Sequence, residues 1–479
     1  MKKLLLTLSL LAGCAAWNKP LNQPLQGENL SLVEVTSASI GDGELYVGLA
    51  FSGGGMRASA FAYGMLEELR TQGGGADGLL DHVRLVSGVS GGSVTAAQFG
   101  LWGPAGLVGY RERYLITNAE KYMANSALNP VTVVKGLSGG ANGRNTFARY
   151  LDEVLYHGMT FGDLRGRSKI KTWINATDMA NNTPFLFSPE TFDALCSDLS
   201  KVPISEAVAA SAAFPLVFSP IVLEAHQGAC DYREPDWLTA ARFNPEATSA
   251  MKAHGRALES YANPAEVKFV KLLDGGITDN FGTTGLSVER ARAQAAYAPM
   301  TPEEAVKLKR MLFLVANAGV EQDFSWTQKV AGPGGVGLGM SIATASMSAA
   351  TRSGYDAMRG ELKQWQAELV EWRCGLSSRE VRRLRGGLEG WDCADVKLFV
   401  GQASFDALPA PMRAELNKVP TRLRLKTAEV DLVIEAGRLA TRGTPEFNGF
   451  LASLEGNDVE GRIVEGIRAG GRRIVPVGE

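Results

Sequence analysis

Along the chain, apolar and polar positions first settle into a repeating unit at residue 45. LYVGLAFS (45–52) is a compact apolar run that stops at three glycines. MRASAFAYGMLEELR (56–70) comes next, its Met56, Phe61, Met65 and Leu69 at helical spacing. HVRLVS (82–87) is a second apolar run, and SVTAAQFGLW (93–102) a second helical stretch. Strand, turn and helix, twice over, predict an α/β fold around a largely parallel sheet. Further strands are predicted at 170–177, 267–274, 309–318 and 396–402. Helices are predicted at 145–156, 205–213, 287–298 and 354–372, and GPGGVGLG (332–339) reads as a flexible segment. No repeat or low-complexity tract interrupts this pattern. It predicts one α/β domain with insertions, beginning near Tyr46, with a less legible continuation over 291–479.

The first residues show another pattern. MKKLLLTLSLLAGCAAW has two lysines, an apolar run from Leu4 to Leu11, and small residues up to Cys14. This is the layout of a secretion signal, and the apolar run is too short to span a bilayer. LAGC resembles the lipobox of bacterial lipoproteins. That resemblance implies a signal over 1–14, a lipidated Cys14 and, with Ala15 next, an outer-membrane location in the cell envelope. Residues 15–44 are polar, contain Pro20 and Pro24, and read as a flexible tether with an end-to-end distance of about 30 Å. Four other cysteines remain, Cys196, Cys230, Cys374 and Cys393. In an oxidising compartment they point most simply to Cys196–Cys230 and Cys374–Cys393, with two other pairings and free thiols left open. No CxxC pair or Cys/His cluster has metal-ligand spacing, so no metal site is expected. Among 479 residues, 49 basic side chains face 51 acidic ones for a net charge of −2. That balance gives no reason to expect a nucleic-acid partner.

The candidate chemistry lies at the glycines. GVSGG (88–92) fits G-x-S-x-G between a predicted strand and a predicted helix, the context of a nucleophile elbow around Ser90. A serine nucleophile needs a base. The four histidines, His82, His157, His226 and His254, all lie outside small glycine-rich turns after strands, and none comes in the order a Ser-Asp-His triad requires. Asp274 is the better candidate, because it ends the apolar run VKFVKLLD just before Gly275 and Gly276 and can reach a serine on a neighbouring strand. Asp279, five residues on, reads as a cap for the next element. SGGGMRAS (52–59) supplies Gly53, Gly54 and Gly55 beside a helix N-terminus, where backbone N–H groups can hold an oxyanion, and Arg57 adds a positive charge. The same stretch fits a dinucleotide fingerprint, but the next strand ends in the serine turn rather than at an acidic residue, and no Walker loop is present. No cofactor is expected.

These three motifs, in this order, resemble the patatin-like phospholipases over about residues 45–290. The glycines with Arg57 stand for the oxyanion motif, Ser90 for the nucleophile and Asp274 for the base of a serine–aspartate dyad. NATDMANNTPFLFS (175–188) and AVAASAAFPLVFSPI (207–221) are softer resemblances. Ser52 replaces the usual aspartate before the glycines, and SGGGMRA with GVSGGS leans toward the cytosolic phospholipase branch. The resemblance implies a three-layer α/β/α fold with helical insertions and hydrolysis of phospholipid or lysophospholipid acyl esters through an acyl-enzyme, without a metal. It also places Arg57 toward the lipid phosphate. Acyl transfer by the same dyad and non-catalytic lipid binding in the envelope are the competing expectations. The segments 136–147 and 332–350 are candidates for a mobile cover, and REVRRLR (379–385) for contact with anionic lipid. The sequence indicates no oligomeric state.

Overall fold

The apolar runs of the sequence assemble side by side. A computed structural model describes residues 18–26, 43–124, 140, 142–245, 247–321, 325–328, 330 and 332–455. Its centre is an eight-stranded sheet made of β1 (Leu45–Phe51), β2 (Val83–Val89), β3 (Lys171–Asp178), β4 (Thr183–Leu186), β5 (Ile221–Glu224), β6 (Phe269–Asp274), β7 (Arg310–Asn317) and β8 (Lys397–Ser404). The order is β5-β6-β3-β2-β1-β7-β8, with β4 pairing β3. The run β3-β2-β1-β7-β8 is parallel throughout, while β4, β5 and β6 join antiparallel.

Side chains alternate across this sheet, which explains why its strands read as continuous apolar runs. Val47, Leu49 and Phe51 of β1 and Leu312 and Leu314 of β7 enter one core. Ala50, Phe313 and Val315 enter a second core on the other face, with Met358, Leu362 and Trp365. The helices used below are α1 (Gly55–Arg70), α2 (Gly91–Trp102), α3 (Ile204–Ser211) and α4 (Gly335–Gly375). Met56, Phe61 and Val94, from α1 and α2, lie in the first core, and the C-terminal half of α4 supplies the helical side of the second. The result is the three-layer α/β/α arrangement.

Three expectations change. β4 and β5, four residues each, were too short to stand out as periodic runs. The glycine-rich 332–339 is helical from Gly335 onward, because α4 begins there and runs unbroken to Gly375. Part of the expected tether is fixed: Leu21 N–H donates to Val222 O at 3.0 Å, Leu25 N–H to Cys196 O at 2.8 Å, and Asp198 N–H to Gln23 O at 3.0 Å. Residues 18–26 thus lie along the edge beside β5. Segment 15–17 and most of 27–44, like 136–139, fall outside the described residues.

Both disulfides take the simplest pairing, Cys196–Cys230 with Cα atoms 5.4 Å apart and Cys374–Cys393 with Cα atoms 4.9 Å apart. The first closes the longer loop, with a separation of 34 residues. Replacing both of its cysteines by serine should cost about 2–4 kcal/mol, read as a lower denaturant midpoint. Among the described residues, no helix is long and apolar enough to cross a membrane.

Candidate active site

β2 ends in a turn that only a tightly held residue can make. Ser90, between β2 and α2, has φ 51° and ψ −123°, a conformation that costs an L-residue about 1–3 kcal/mol. Hydrogen bonds support it: Ser90 N–H donates to Ser211 Oγ of α3 at 2.8 Å, and Ser211 Oγ donates to Asn175 O of β3 at 2.5 Å. The glycine after the serine has a packing reason. A Cβ on Gly91 would lie 1.9 Å from Gly55 O, because α2 starts directly against the turn between β1 and α1. Gly91→Ala should therefore cost about 1–3 kcal/mol and lower turnover several-fold, measurable as a reduced melting temperature together with a reduced rate.

Asp274 reaches Ser90 by a route the sequence does not disclose. β3 extends beyond the end of β2: Val89 pairs with Asn175, and Ala176 to Asp178 continue past it. β6 arrives antiparallel against this extension and ends with Asp274 opposite Ala176. Serine and aspartate thus stand at one level with β3 between them, rather than on neighbouring strands. The Ser90 side chain stands close enough to the Asp274 carboxylate to lower its pKa. Gly276 N–H donates to Asp274 Oδ1 at 2.9 Å. Both residues are buried, Asp274 with 2% exposure. Burial raises the Asp274 pKa to about 6, and Ser90 and the Gly276 N–H hold it from rising further.

The glycine turn after β1 comes to the same place. A Cβ on Gly53 would lie 3.3 Å from Ser90 Cβ. Its N–H donates to Asn280 Oδ1 at 3.1 Å, and Met56 N–H to Arg422 O at 2.7 Å. Among the described residues, the N–H groups of Gly54 and Gly55 find no such acceptor. Ser52, where the resemblance leads one to expect aspartate, braces the turn: its Oγ accepts from Ala318 N–H at 3.0 Å.

Arg57 takes a different place from the one expected. Its Nε donates to Ala318 O at 2.9 Å and its Nη1 to Val419 O at 2.7 Å. It is 4% exposed, and burial lowers its pKa to about 10. The guanidinium fastens the α1 end of the glycine turn to two loops instead of pointing into open space. Asp279 acts as a cap, as expected: Oδ1 accepts from Gly282 N–H at 2.9 Å and Oδ2 from Thr284 N–H at 2.8 Å.

His82 precedes β2, about 20 Å from the serine end by strand length. His254 is buried without a hydrogen-bond partner, and burial lowers its pKa to about 4. Sequence reasoning missed Ser211, Asn280 and Met347. The Met347 methyl of α4 lies 3.6 Å from a Cβ built on Gly53 and 2.6 Å from one built on Gly276, so it roofs the dyad. Asn280 Nδ2 donates to Thr351 Oγ1 of α4 at 2.9 Å, tying this roof to the oxyanion turn. Ser211 lay inside a stretch already singled out (207–221) and Asn280 directly after Asp279, but only the fold gives them partners.

A strained serine at a strand-to-helix elbow, a buried carboxylate and a glycine turn, on a mostly parallel sheet between helical layers, define an α/β protein with a candidate serine site. Residues 49–286 match the model of the family "Patatin-like phospholipase", and the chain carries a patatin-like phospholipase domain over that span. No curated protein matches the chain by sequence. Similar solved structures include human GIVD cytosolic phospholipase A2, at 12% identity and a TM-score of 0.36, covering 89% of this chain and 63% of that one. VipD from Legionella pneumophila is similar at 13% identity and a TM-score of 0.29, covering 90% of this chain and 73% of that one. The chain thus spans less than two thirds of the human enzyme's length.

Proposed function

We propose that this protein is a serine acyl hydrolase that cleaves fatty-acyl esters of phospholipids or lysophospholipids, held at the envelope membrane by a lipidated Cys14. The observation that carries the catalytic reading is a strained elbow serine beside a buried carboxylate whose pKa burial raises to about 6. The ionised Asp274 takes the Ser90 proton as Oγ attacks the ester carbonyl. Gly54 and Gly55 N–H groups receive the oxyanion, and as it collapses the protonated Asp274 returns the proton to the leaving alcohol. Water, deprotonated by the same carboxylate, then releases the fatty acid from Ser90. The family of the domain supports an acyl-lipid substrate.

The test supplies phosphatidylcholine and lysophosphatidylcholine vesicles and tracks products by mass. Free fatty acid in stoichiometry with the lyso-lipid or the glycerol phosphodiester is expected. A new ester on an added alcohol, in place of free acid, would convert the assignment to acyl transfer. No product from either lipid would leave a binding protein. For the anchor, Cys14→Ser is expected to move the protein from the membrane fraction to the soluble fraction with soluble-ester turnover unchanged. An unlipidated N-terminal peptide in the native protein would refute it.

A further inference from the structure

The roof over the dyad has an unusual outer surface. Successive helical residues turn by 100°, so Leu338, Ile342, Ala345 and Ala349 form one stripe along α4, opposite Ala343, Met347 and Thr351. The inner positions are occupied: Ala343 is buried, Met347 roofs the dyad and Thr351 accepts from Asn280. The outer stripe faces solvent, Leu338 with 50% exposure and Ile342 with 63%. No charged residue occurs from Val330 to Thr351. Beyond Thr351 the same stripe carries Arg352, Asp356 and Lys363, all exposed, as an ordinary surface helix would. The apolar stripe therefore has a boundary, and it ends where α4 leaves the site.

The fixed part of the N-terminal segment reaches the same end of the molecule. Asn18 Nδ2 donates to Pro220 O at 2.8 Å, and Asn18 Oδ1 accepts from Arg144 N–H at 3.2 Å. Pro220 closes the loop that begins with Ala213, whose carbonyl accepts from Asp274 N–H, and that contains Leu216. Leu216 Cδ1 lies 3.2 Å from a Cβ built on Gly339, next to Leu338. Four residue steps join Cys14 to Asn18, which at full extension span about 14 Å. The headgroup layer takes about 5–8 Å of that.

We propose that the Leu338–Ile342–Ala345–Ala349 stripe, with the exposed Val330, is the surface on which this protein lies against the bilayer that holds its own anchor. The anchor is then a short leash, not a long tether. This rests on acylation of Cys14, as proposed above. With Asn18 pinned close to the headgroups, the loop through Leu216 and the outer face of α4 turn toward the lipid. Ile342 is five residues from Met347, about 7.5 Å along the helix axis, so substrate need not cross bulk water to reach the roofed serine. An uncharged apolar stripe fits the headgroup–acyl boundary, and its binding does not depend on anionic lipid.

The test has two arms. In the first, the full chain with Cys14→Ser is mixed with phosphatidylcholine vesicles and partition is read by flotation. Adding Leu338→Ser and Ile342→Ser should lower partition about tenfold with the melting temperature unchanged, and raising NaCl from 0.05 to 0.5 M should change it less than twofold. Equal partition with and without the two serines would overturn the docking surface. So would loss of partition in salt, or a self-associated dimer that the two serines dissolve. In the second arm, acylated protein receives twelve Gly/Ser residues after Ala16. Turnover of phospholipid in the anchoring vesicle should fall several-fold, and an unchanged rate would overturn the leash. The mass of the N-terminal peptide reads acylation separately, so failure of the anchor is distinguishable from failure of the surface.

Discussion

Ser90→Ala is expected to abolish ester turnover, by about 10⁴-fold or more, and to remove labelling by a fluorophosphonate probe. The loss should come without a loss of fold, because the Ser90 N–H to Ser211 Oγ bond and the packing of Gly91 on Gly55 involve no atom of the Ser90 hydroxyl. Ser90→Gly separates chemistry from strain. It removes the same hydroxyl but also the Cβ that makes φ 51° costly. The glycine variant should therefore melt higher than the alanine variant, by an amount equivalent to about 1 kcal/mol or more, while both remain inactive. Residual labelling in either variant would place the nucleophile elsewhere.

Asp274→Asn should be similarly severe for activity and opposite in sign for stability. The carboxylate must be ionised to take the serine proton. With its pKa raised to about 6 by burial, wild-type turnover should climb tenfold per pH unit below that value and level off above it. The asparagine variant should lose that limb along with most of the rate. For stability, the folded-state pKa lies above the ordinary 3.8. The protein binds this proton more tightly when folded, so the associated stability is complete below pH 3.8 and is lost as pH rises through about 6. At pH 8 the ionised carboxylate costs about 3 kcal/mol. Asp274→Asn should raise the melting temperature at pH 8, with the gain shrinking toward pH 4. A variant less stable at pH 8 would show that Ser90 and the Gly276 N–H outweigh the burial of charge.

How much could be read beforehand depended on range. Six strands were legible because their apolar runs are long enough to fill both cores, as with Leu312–Leu314 on one face and Phe313–Val315 on the other. Ser90, Asp274 and the glycine turn were legible because elbow and turn chemistry is local. Strand direction is not local. VKFVKLLD looks the same in either sense, and only its pairing with the extension of β3 reverses it. Arg57 was misplaced for a similar reason, since the carbonyls that hold it belong to Ala318 and Val419, hundreds of residues away. The start of α4 was hidden by glycines, which lower helix propensity. The N-terminal segment looked unstructured because its bonds are to β5 and to residues near Cys196 rather than to itself.

The reversed approach of β6 has a consequence for biosynthesis. Nucleophile and base lie about 180 residues apart in the chain, a stretch that takes a ribosome about 10–40 s to add. On the proposed mechanism, Ser90 lacks its base until β6 has emerged and annealed to the overhanging end of β3, so the nascent polypeptide should not attack an ester. A truncated translation product ending before Phe269 is expected to be inert for the same reason. On the proposed function, the cell is thereby spared a half-finished acyl hydrolase.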